Sequence, residues 1–195
     1  MRTRGARACH PGVRMSEERF RAYTDRDLGA VIDRMARQAA ALLDATPVTL
    51  VGVLRRGAPL ADRVLARLRE HAPRAEIARL DLEVKRYADD LALLHPETRL
   101  VAPAAGSVAG RRVIVVDDVL YQGYSLFRVF EWLRAQGAAA IHAAVLVDRA
   151  CTMLPVHADI IGVTLRIAPG DVIECCVPPY EPDFAIDIWR PGAPP

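Results

Sequence analysis

Lysine is almost absent from this chain: Lys85 is its single copy, and every other cation among 26 basic residues is an arginine. Such a bias follows from base composition and excludes nothing alone. It makes the placement of individual arginines the informative quantity, because a guanidinium pairs bidentately with phosphate oxygens. Excess charge is missing as well. The 24 acidic residues leave a net charge of +2, so no bulk field marks the chain as a partner of nucleic acid or membrane. Cysteine is scarce, at Cys9, Cys151, Cys175 and Cys176, with no CxxC pair. Cys175 and Cys176 are adjacent and would point to opposite faces of a strand, so buried free thiols are expected rather than a zinc site or a disulfide framework. His10, His71, His95, His142 and His157 show no ligand spacing, so no direct metal site is expected. No apolar run approaches the ~18 residues a membrane-spanning helix needs. The N-terminal segment carries Arg2, Arg4, Arg7 and Arg14 but no apolar core of a secretory signal. The reading is a cytoplasmic protein.

What is present is a globular balance, 52% hydrophobic with 26% charged residues over 195 residues. A domain of this length buries about 70% of the surface its unfolded chain exposes, enough to fold without staples. Residues 1–24 are expected to be a disordered Arg-rich tail, with Met15 rather than Met1 as a candidate true start. Residues 25–190 are expected to form a single domain, and 191–195, rich in proline, a short tail. Leu28, Val31, Ile32, Met35 and Leu42 predict a helix that Asp25 or Asp27 can cap. Val48–Val53 is an apolar, β-branched run of buried-strand length, broken at Leu54–Pro59. Leu60, Ala61, Val64, Leu65 and Leu68 restore a helical face. Ile77–Val84 alternates as a strand, and residues 85–110 look like a long loop or hairpin, a length at which loops tend to be functional lids.

The second half repeats the alternation. Val113–Val116 predicts a buried strand ending in Asp117-Asp118. A turn from Val119 to Ser125 leads into a helix with Leu126, Val129, Phe130 and Leu133 on one face, closed by Gly137. Trp132 on that helix is expected in core or interface. Ile141–Val147, Ile160–Leu165, Val172–Val177 and Phe184–Trp189 read as further strands. Strands alternating with helices define an α/β fold with a mainly parallel sheet.

In such sheets ligands sit beyond the carboxyl ends of the strands. The Gly123 turn running into a helix start offers backbone N–H groups and the positive end of the helix dipole, which suits a phosphate, and Ser125 can add a hydroxyl. Adjacent carboxylates do not want that phosphate. They suit ribose hydroxyls, or magnesium through water. Along a strand only one of Asp117 and Asp118 could face the ligand; in a turn both could. Strand, acidic pair and phosphate turn together read as a ribose-5-phosphate site, against the alternative of an acidic pair that caps a helix and binds nothing.

These residues also carry a resemblance. VIVVDDVLYQGYS (Val113–Ser125) resembles the phosphoribosyl pyrophosphate (PRPP) motif of type I phosphoribosyltransferases, in the VDDVLYTGRT form found in the PyrR family of pyrimidine operon regulators that are also uracil phosphoribosyltransferases. LVGVLRRGAPLADRVLARL (Leu50–Leu68), Tyr87-Ala88-Asp89-Asp90-Leu91 and AVLVDRACTMLPVHADIIG are similar to further segments of the same family, and together they cover nearly everything from Asp27 to Trp189. The resemblance implies the type I phosphoribosyltransferase fold: a mainly parallel central sheet flanked by helices, with a small hood and a flexible lid loop.

It also implies roles. Asp117 and Asp118 hold the ribose hydroxyls, the turn of Tyr121, Gln122, Gly123, Tyr124 and Ser125 binds the 5′-phosphate, and Val119 and Leu120 complete this PRPP-binding stretch. Leu54–Gly57 forms the pyrophosphate loop, in which Arg55 or Arg56 neutralises the leaving group beside Mg²⁺, the metal being carried by PRPP. With Asp117 and Asp118, Arg56 completes the implied catalytic set. Val147, Asp148 and Arg149 lie near the nucleobase, most simply uracil. Arg86, Tyr87, Asp89 and Asp90 belong to the lid over 85–110. A homo-oligomer, dimer or tetramer, is implied. Three departures stand in functional places: Ala88 replaces the lid arginine, Gln122 replaces a threonine of the phosphate turn, and Tyr124 replaces the arginine after Gly123. The RNA-binding half of the family's function is disfavoured, because several of its cations are missing and the net charge of +2 offers no replacement patch. A relative that binds PRPP or a nucleotide with weak or different base activity is the remaining alternative.

Overall fold

The computed structural model of the chain describes residues 18–84, 98–100 and 107–190. Two sheets organise it. The larger has six strands in the order β4-β3-β2-β5-β6-β7: β2 (Val48–Val53), β3 (Ile77–Val84), β4 (Thr98–Leu100), β5 (Arg112–Leu120), β6 (Ala140–Asp148) and β7 (Ile160–Thr164). Five of these are mutually parallel, and β4 joins β3 antiparallel at the edge. The smaller sheet is antiparallel, in the order β1-β9-β8, from β1 (Glu18–Tyr23), β8 (Val172–Cys176) and β9 (Ala185–Arg190).

The period of two in the strand sequences sorts side chains onto the two faces of the larger sheet. Val48 and Leu50, Ile114 and Val116, and Ala144 and Leu146 face α1 (Asp25–Ala41) and α2 (Gly57–His71). Val51 and Val53, Val113 and Val115, and Ala143 and Val145 face α3 (Tyr124–Ala135). Both faces are covered, so the central strands read as continuous apolar runs. The first cluster also takes in Ile173, Cys175, Val177, Phe184 and Ile186, so the small sheet shares a core with the large one.

Several element ends differ from the sequence reading. The expected tail over 1–24 is corrected at its C-terminal part, because Glu18–Tyr23 form β1 against β9. Arg19 and Arg21, which look like more of an arginine-rich tail, are held by the buried Asp187 of β9, each through Nε at 2.9 Å. The N-cap of α1 is Thr24, not Asp25 or Asp27. Asp27 acts at the third helical position, its Oδ2 accepting from the Thr24 amide at 3.0 Å and from the Thr24 hydroxyl at 2.6 Å. Gly137 closes α3 as expected: the Ala138 amide donates to Leu133 O and the Gly137 amide to Arg134 O, the paired bonds of a Schellman ending. The strand expected to end at the acidic pair continues to Leu120, because Val119 and Leu120 still pack apolar neighbours, one on each face. Of the four cysteines, Cys175 and Cys176 are buried as expected. Cys151 is exposed, since its connector lies on the surface; Cys9 lies outside the described residues. Among the described residues no helix is long and apolar enough to cross a membrane.

Candidate active site

Because β2, β3, β5, β6 and β7 run parallel, their carboxyl ends share one edge of the sheet, where a ligand meets the loops. Two of these ends are brought into contact by a missing side chain. A Cβ on Gly57 would lie 2.5 Å from Val116 O and 3.2 Å from the Asp117 Cα, so only glycine lets the loop after β2 abut the strand that carries the acidic pair. The Leu54–Gly57 loop, which includes a cis peptide between Leu54 and Arg55, therefore sits directly against the end of β5.

On β5 the two carboxylates fall on opposite sides of the strand, as alternation requires. Asp117 is 4% exposed and accepts the Asp118 amide at 2.9 Å; Asp118 is half-buried and accepts the Val119 amide at 2.9 Å. The Arg56 guanidinium and the Cys175 thiol both feel the Asp118 charge, and Cys175 Sγ lies 4.0 Å from Asp118 O. Burial, reinforced by Asp118, pushes the Cys175 thiol well up, so it remains a neutral thiol beside the acidic pair.

The phosphate turn is shorter than the sequence reading. It spans Tyr121–Gly123, and α3 begins at Tyr124. Gly123 is the N-cap, with φ of 91°, a left-handed conformation that side-chain-bearing residues adopt at a cost. Its carbonyl accepts the Phe127 amide at 2.9 Å, so the amides of Tyr124, Ser125 and Leu126 precede the first intrahelical bond. These amides and the positive end of the helix dipole are what a ligand arriving at this edge would meet. Val119 and Leu120 have their side chains in the two apolar clusters and can offer a ligand only backbone. Gln122 is pinned through its carbonyl, which accepts the Met153 amide at 3.1 Å, and Tyr124 is exposed.

The connector after β6 lies alongside that turn. The Arg149 amide donates to Leu120 O at 3.0 Å, its guanidinium stacks 4.3 Å from the centroid of the Tyr121 ring, and its Nη2 donates to Asp171 O at 3.3 Å. Asp148 Oδ1 accepts the Ala150 amide at 2.7 Å, while Val147 is fully buried. Asp148 and Arg149 thus reach the same edge as the phosphate turn, and Val147 can contribute only main chain. The lid residues Arg86, Tyr87, Asp89 and Asp90, together with Ala88, lie outside the described residues.

Sequence reasoning missed the partners of the loop arginines. Arg55 lies over the Tyr180 ring, 4.9 Å from its centroid. Arg56 Nε and Nη2 both donate to Glu181 Oε1, at 3.0 and 2.6 Å. Glu181 tightens the hold on the Arg56 proton, raising that guanidinium above its ordinary range although partial burial opposes it. Desolvation pushes the Glu181 carboxyl up, but Arg56 and the Val177 amide outweigh it and hold it below the usual carboxylate range. The only signal in the sequence was an acidic residue just after Pro178-Pro179, which says nothing about a partner 125 residues away.

A glycine-tight loop, an acidic pair at a strand end and an open helix N-terminus thus stand together on one sheet edge. A model of the phosphoribosyl transferase domain matches residues 22–182, and the chain belongs to that family, the pentosyltransferases that use PRPP. The "Bifunctional protein PyrR" of Roseiflexus sp. (strain RS-1) is 37% identical over 139 residues, covering 70% of this chain and 75% of that protein. The protein of the same name from Mycolicibacterium paratuberculosis is 36% identical over 172 residues, covering 84% and 90%. Within its class the chain is a member of the PyrR family. A solved hypoxanthine phosphoribosyltransferase of Trypanosoma cruzi, a mutant form in a ternary substrates complex, superposes with a TM-score of 0.71 at 18% identity, covering 90% of this chain and 96% of that one. That likeness shows the type I phosphoribosyltransferase fold expected from the sequence.

Proposed function

We propose that this phosphoribosyltransferase transfers ribose 5-phosphate from PRPP to uracil, giving UMP and pyrophosphate. The observation that carries the proposal is the abutment of the Leu54–Gly57 loop on the end of β5, which puts a cationic loop beside an acidic pair with the α3 N-terminus on the same edge. The choice of a pyrimidine is supported by the resemblance to the PyrR family and by its PyrR relatives. In this reading the amides of Tyr124, Ser125 and Leu126 hold the 5′-phosphate and Asp117 and Asp118 take the ribose hydroxyls. Arg56 and Arg55 face the pyrophosphate, and Asp148 with Arg149 presents polar groups to the base. As pyrophosphate departs, positive charge develops on the ribose ring, and a ring nitrogen of the base attacks C1′. The protein positions the reactants and stabilises charge.

Magnesium fits this site as a companion of the substrate. The donors present are carboxylate oxygens, which suit a hard cation, and among the described residues no group of three or more His, Cys, Asp or Glu forms a cage of its own. When bound with PRPP, the ion would neutralise charge on the leaving pyrophosphate; Asp117 and Asp118 are the residues that would hold it through water.

An RNA-regulator reading finds less support. Two of the three arginines of α1, Arg34 and Arg37, are engaged by the Gly162 carbonyl and the Asp33 carboxylate. Phosphate contacts dominate RNA affinity, and engaged cations supply few of them.

The test is pyrophosphate release with PRPP, Mg²⁺ and each of uracil, orotate, hypoxanthine, guanine and adenine. Turnover with uracil is expected; turnover only with a purine refutes the base assignment. Asp118→Asn should reduce turnover at least ~100-fold, a size typical of losing one charge-stabilising group. Wild-type rates in that variant refute the ribose role.

A further inference from the structure

The two adjacent cations of the Leu54–Gly57 loop are both caught by consecutive residues of one segment, Tyr180 and Glu181, in the connector between β8 and β9. The Glu181 hold is fixed at both ends. Oε1 takes both Arg56 donors, while Oε2 accepts the Val177 amide at 2.8 Å. A carboxylate anchored to main chain has no rotamer freedom to spare, and it passes that restriction on to the guanidinium. The pair is sheltered rather than solvated, with side-chain exposures of 33% for Arg56 and 19% for Glu181. It therefore escapes most of the screening that makes surface ion pairs nearly worthless.

The guanidinium is a planar fork of five N–H donors. Glu181 occupies the Nε–Nη2 edge, which leaves the Nη1 group outside the pair. Gly57, the next residue, abuts the end of β5 at Val116 O and the Asp117 Cα, so the Arg56 fork lies beside the strand that carries the acidic pair. We propose that Glu181 is a positioning residue for pyrophosphate recognition: tied to the Val177 amide, it holds the Nε–Nη2 edge of Arg56 so that the Nη1 side is presented to the pyrophosphate group of PRPP. This rests on the phosphoribosyltransferase reading above. Glu181 touches no substrate; it acts through Arg56 alone. A tie that merely joins the loop to the small sheet would change stability without distinguishing PRPP from base.

The experiment is a double-mutant cycle on the full chain with Glu181→Ala, Arg56→Ala and the combined variant, plus Glu181→Asp as the conservative change. Two readouts are taken: KM for PRPP and for uracil, and calorimetric binding of inorganic pyrophosphate in the presence of MgCl₂. Circular dichroism and melting confirm that each variant is folded. Glu181→Ala should raise KM for PRPP and weaken pyrophosphate binding about tenfold with KM for uracil unchanged, and should add nothing once Arg56 is alanine. Glu181→Asp should recover part of the loss. Additive losses, equal changes in both KM values, or tighter pyrophosphate binding in Glu181→Ala each overturn the proposal. Because pyrophosphate binding is read without turnover, wild-type protein that binds pyrophosphate but turns over no base refutes the assigned reaction while the cycle still tests Glu181. Wild-type protein that neither binds pyrophosphate nor turns over refutes both.

Discussion

Gly57 is the residue on which the site most depends, for a reason unrelated to any side chain of its own. The space its Cβ would need is already filled by the main chain of β5, at Val116 O and Asp117 Cα. A backbone atom in a central parallel strand cannot retreat as the tip of a flexible side chain can. Gly57→Ala must therefore push the loop off the strand, carrying Arg55 and Arg56 away from the acidic pair. The overpacking should cost about 1–3 kcal/mol, which lowers Tm by about 2–12 °C for a chain of this size. Turnover should fall by more than the lost folded fraction accounts for. Thermal melts and pyrophosphate release on the same preparation check this, and an unchanged melt with wild-type turnover would show that the close approach is not needed. Glu181 is the counterpart at the same scale, a residue whose importance lies in what it holds.

At the scale of elements, β1 shows how a strand can be built from charge. Its Arg19 and Arg21 both reach Asp187, which is 1% exposed on the neighbouring β9. Arg21 above all, then Arg19, holds the Asp187 carboxyl below its ordinary range against the desolvation that raises it. The folded protein thus binds that proton more weakly than the unfolded chain, and the stabilisation is present above the unfolded pKa, about 3.9. It is lost as pH falls through the lower folded value. Asp187→Asn should destabilise the protein by about 1–3 kcal/mol at pH 7, a range that reflects a buried acceptor with half-exposed partners. The gap to wild type should persist at pH 5 and close only below about pH 4. Urea titrations at pH 7, 5 and 3.5 measure it, and a gap that is constant across all three would place the stabilisation elsewhere. The same pair explains why β1 was illegible in the sequence. Arg19 and Arg21 look like a continuation of the arginine-rich tail, and their partner stands more than 160 residues away. By contrast, β2 and β3 were legible to the residue, because Val48–Val53 and Ile77–Val84 carry their own apolar pattern. β5 ran past its expected end, since a carboxylate pair looks like a strand terminus and only the sheet shows that Val119 and Leu120 are still packed. The acidic pair and Gly123 could be read from local chemistry. Tyr180 and Glu181 could not, because what makes them matter is the loop they meet.

For the whole molecule, the consequence is that one ligand would bridge elements from across the chain. The loop after β2, the end of β5, the start of α3 and the connector after β6 meet at one sheet edge, and the small sheet shares the apolar cluster that backs them. A ligand that engages these elements in the folded state and finds none of them assembled in the unfolded chain must stabilise folding by mass action. At a concentration 100 times its Kd the gain is about 2.7 kcal/mol, which for this length corresponds to a Tm increase of about 5–11 °C. PRPP with MgCl₂ is therefore expected to raise Tm by that order. Uracil alone, with contacts only near Asp148 and Arg149, should shift it less, and Asp118→Asn should blunt the PRPP effect. A thermal shift of equal size with uracil alone, or none with PRPP, would contradict the assembly of the site. The chain's small net charge of +2 makes this a discriminating measurement, because a polyanion that stabilised it through bulk electrostatics alone would find little field to exploit. A shift specific to PRPP must come from the arrangement of a few arginines, amides and carboxylates at the sheet edge.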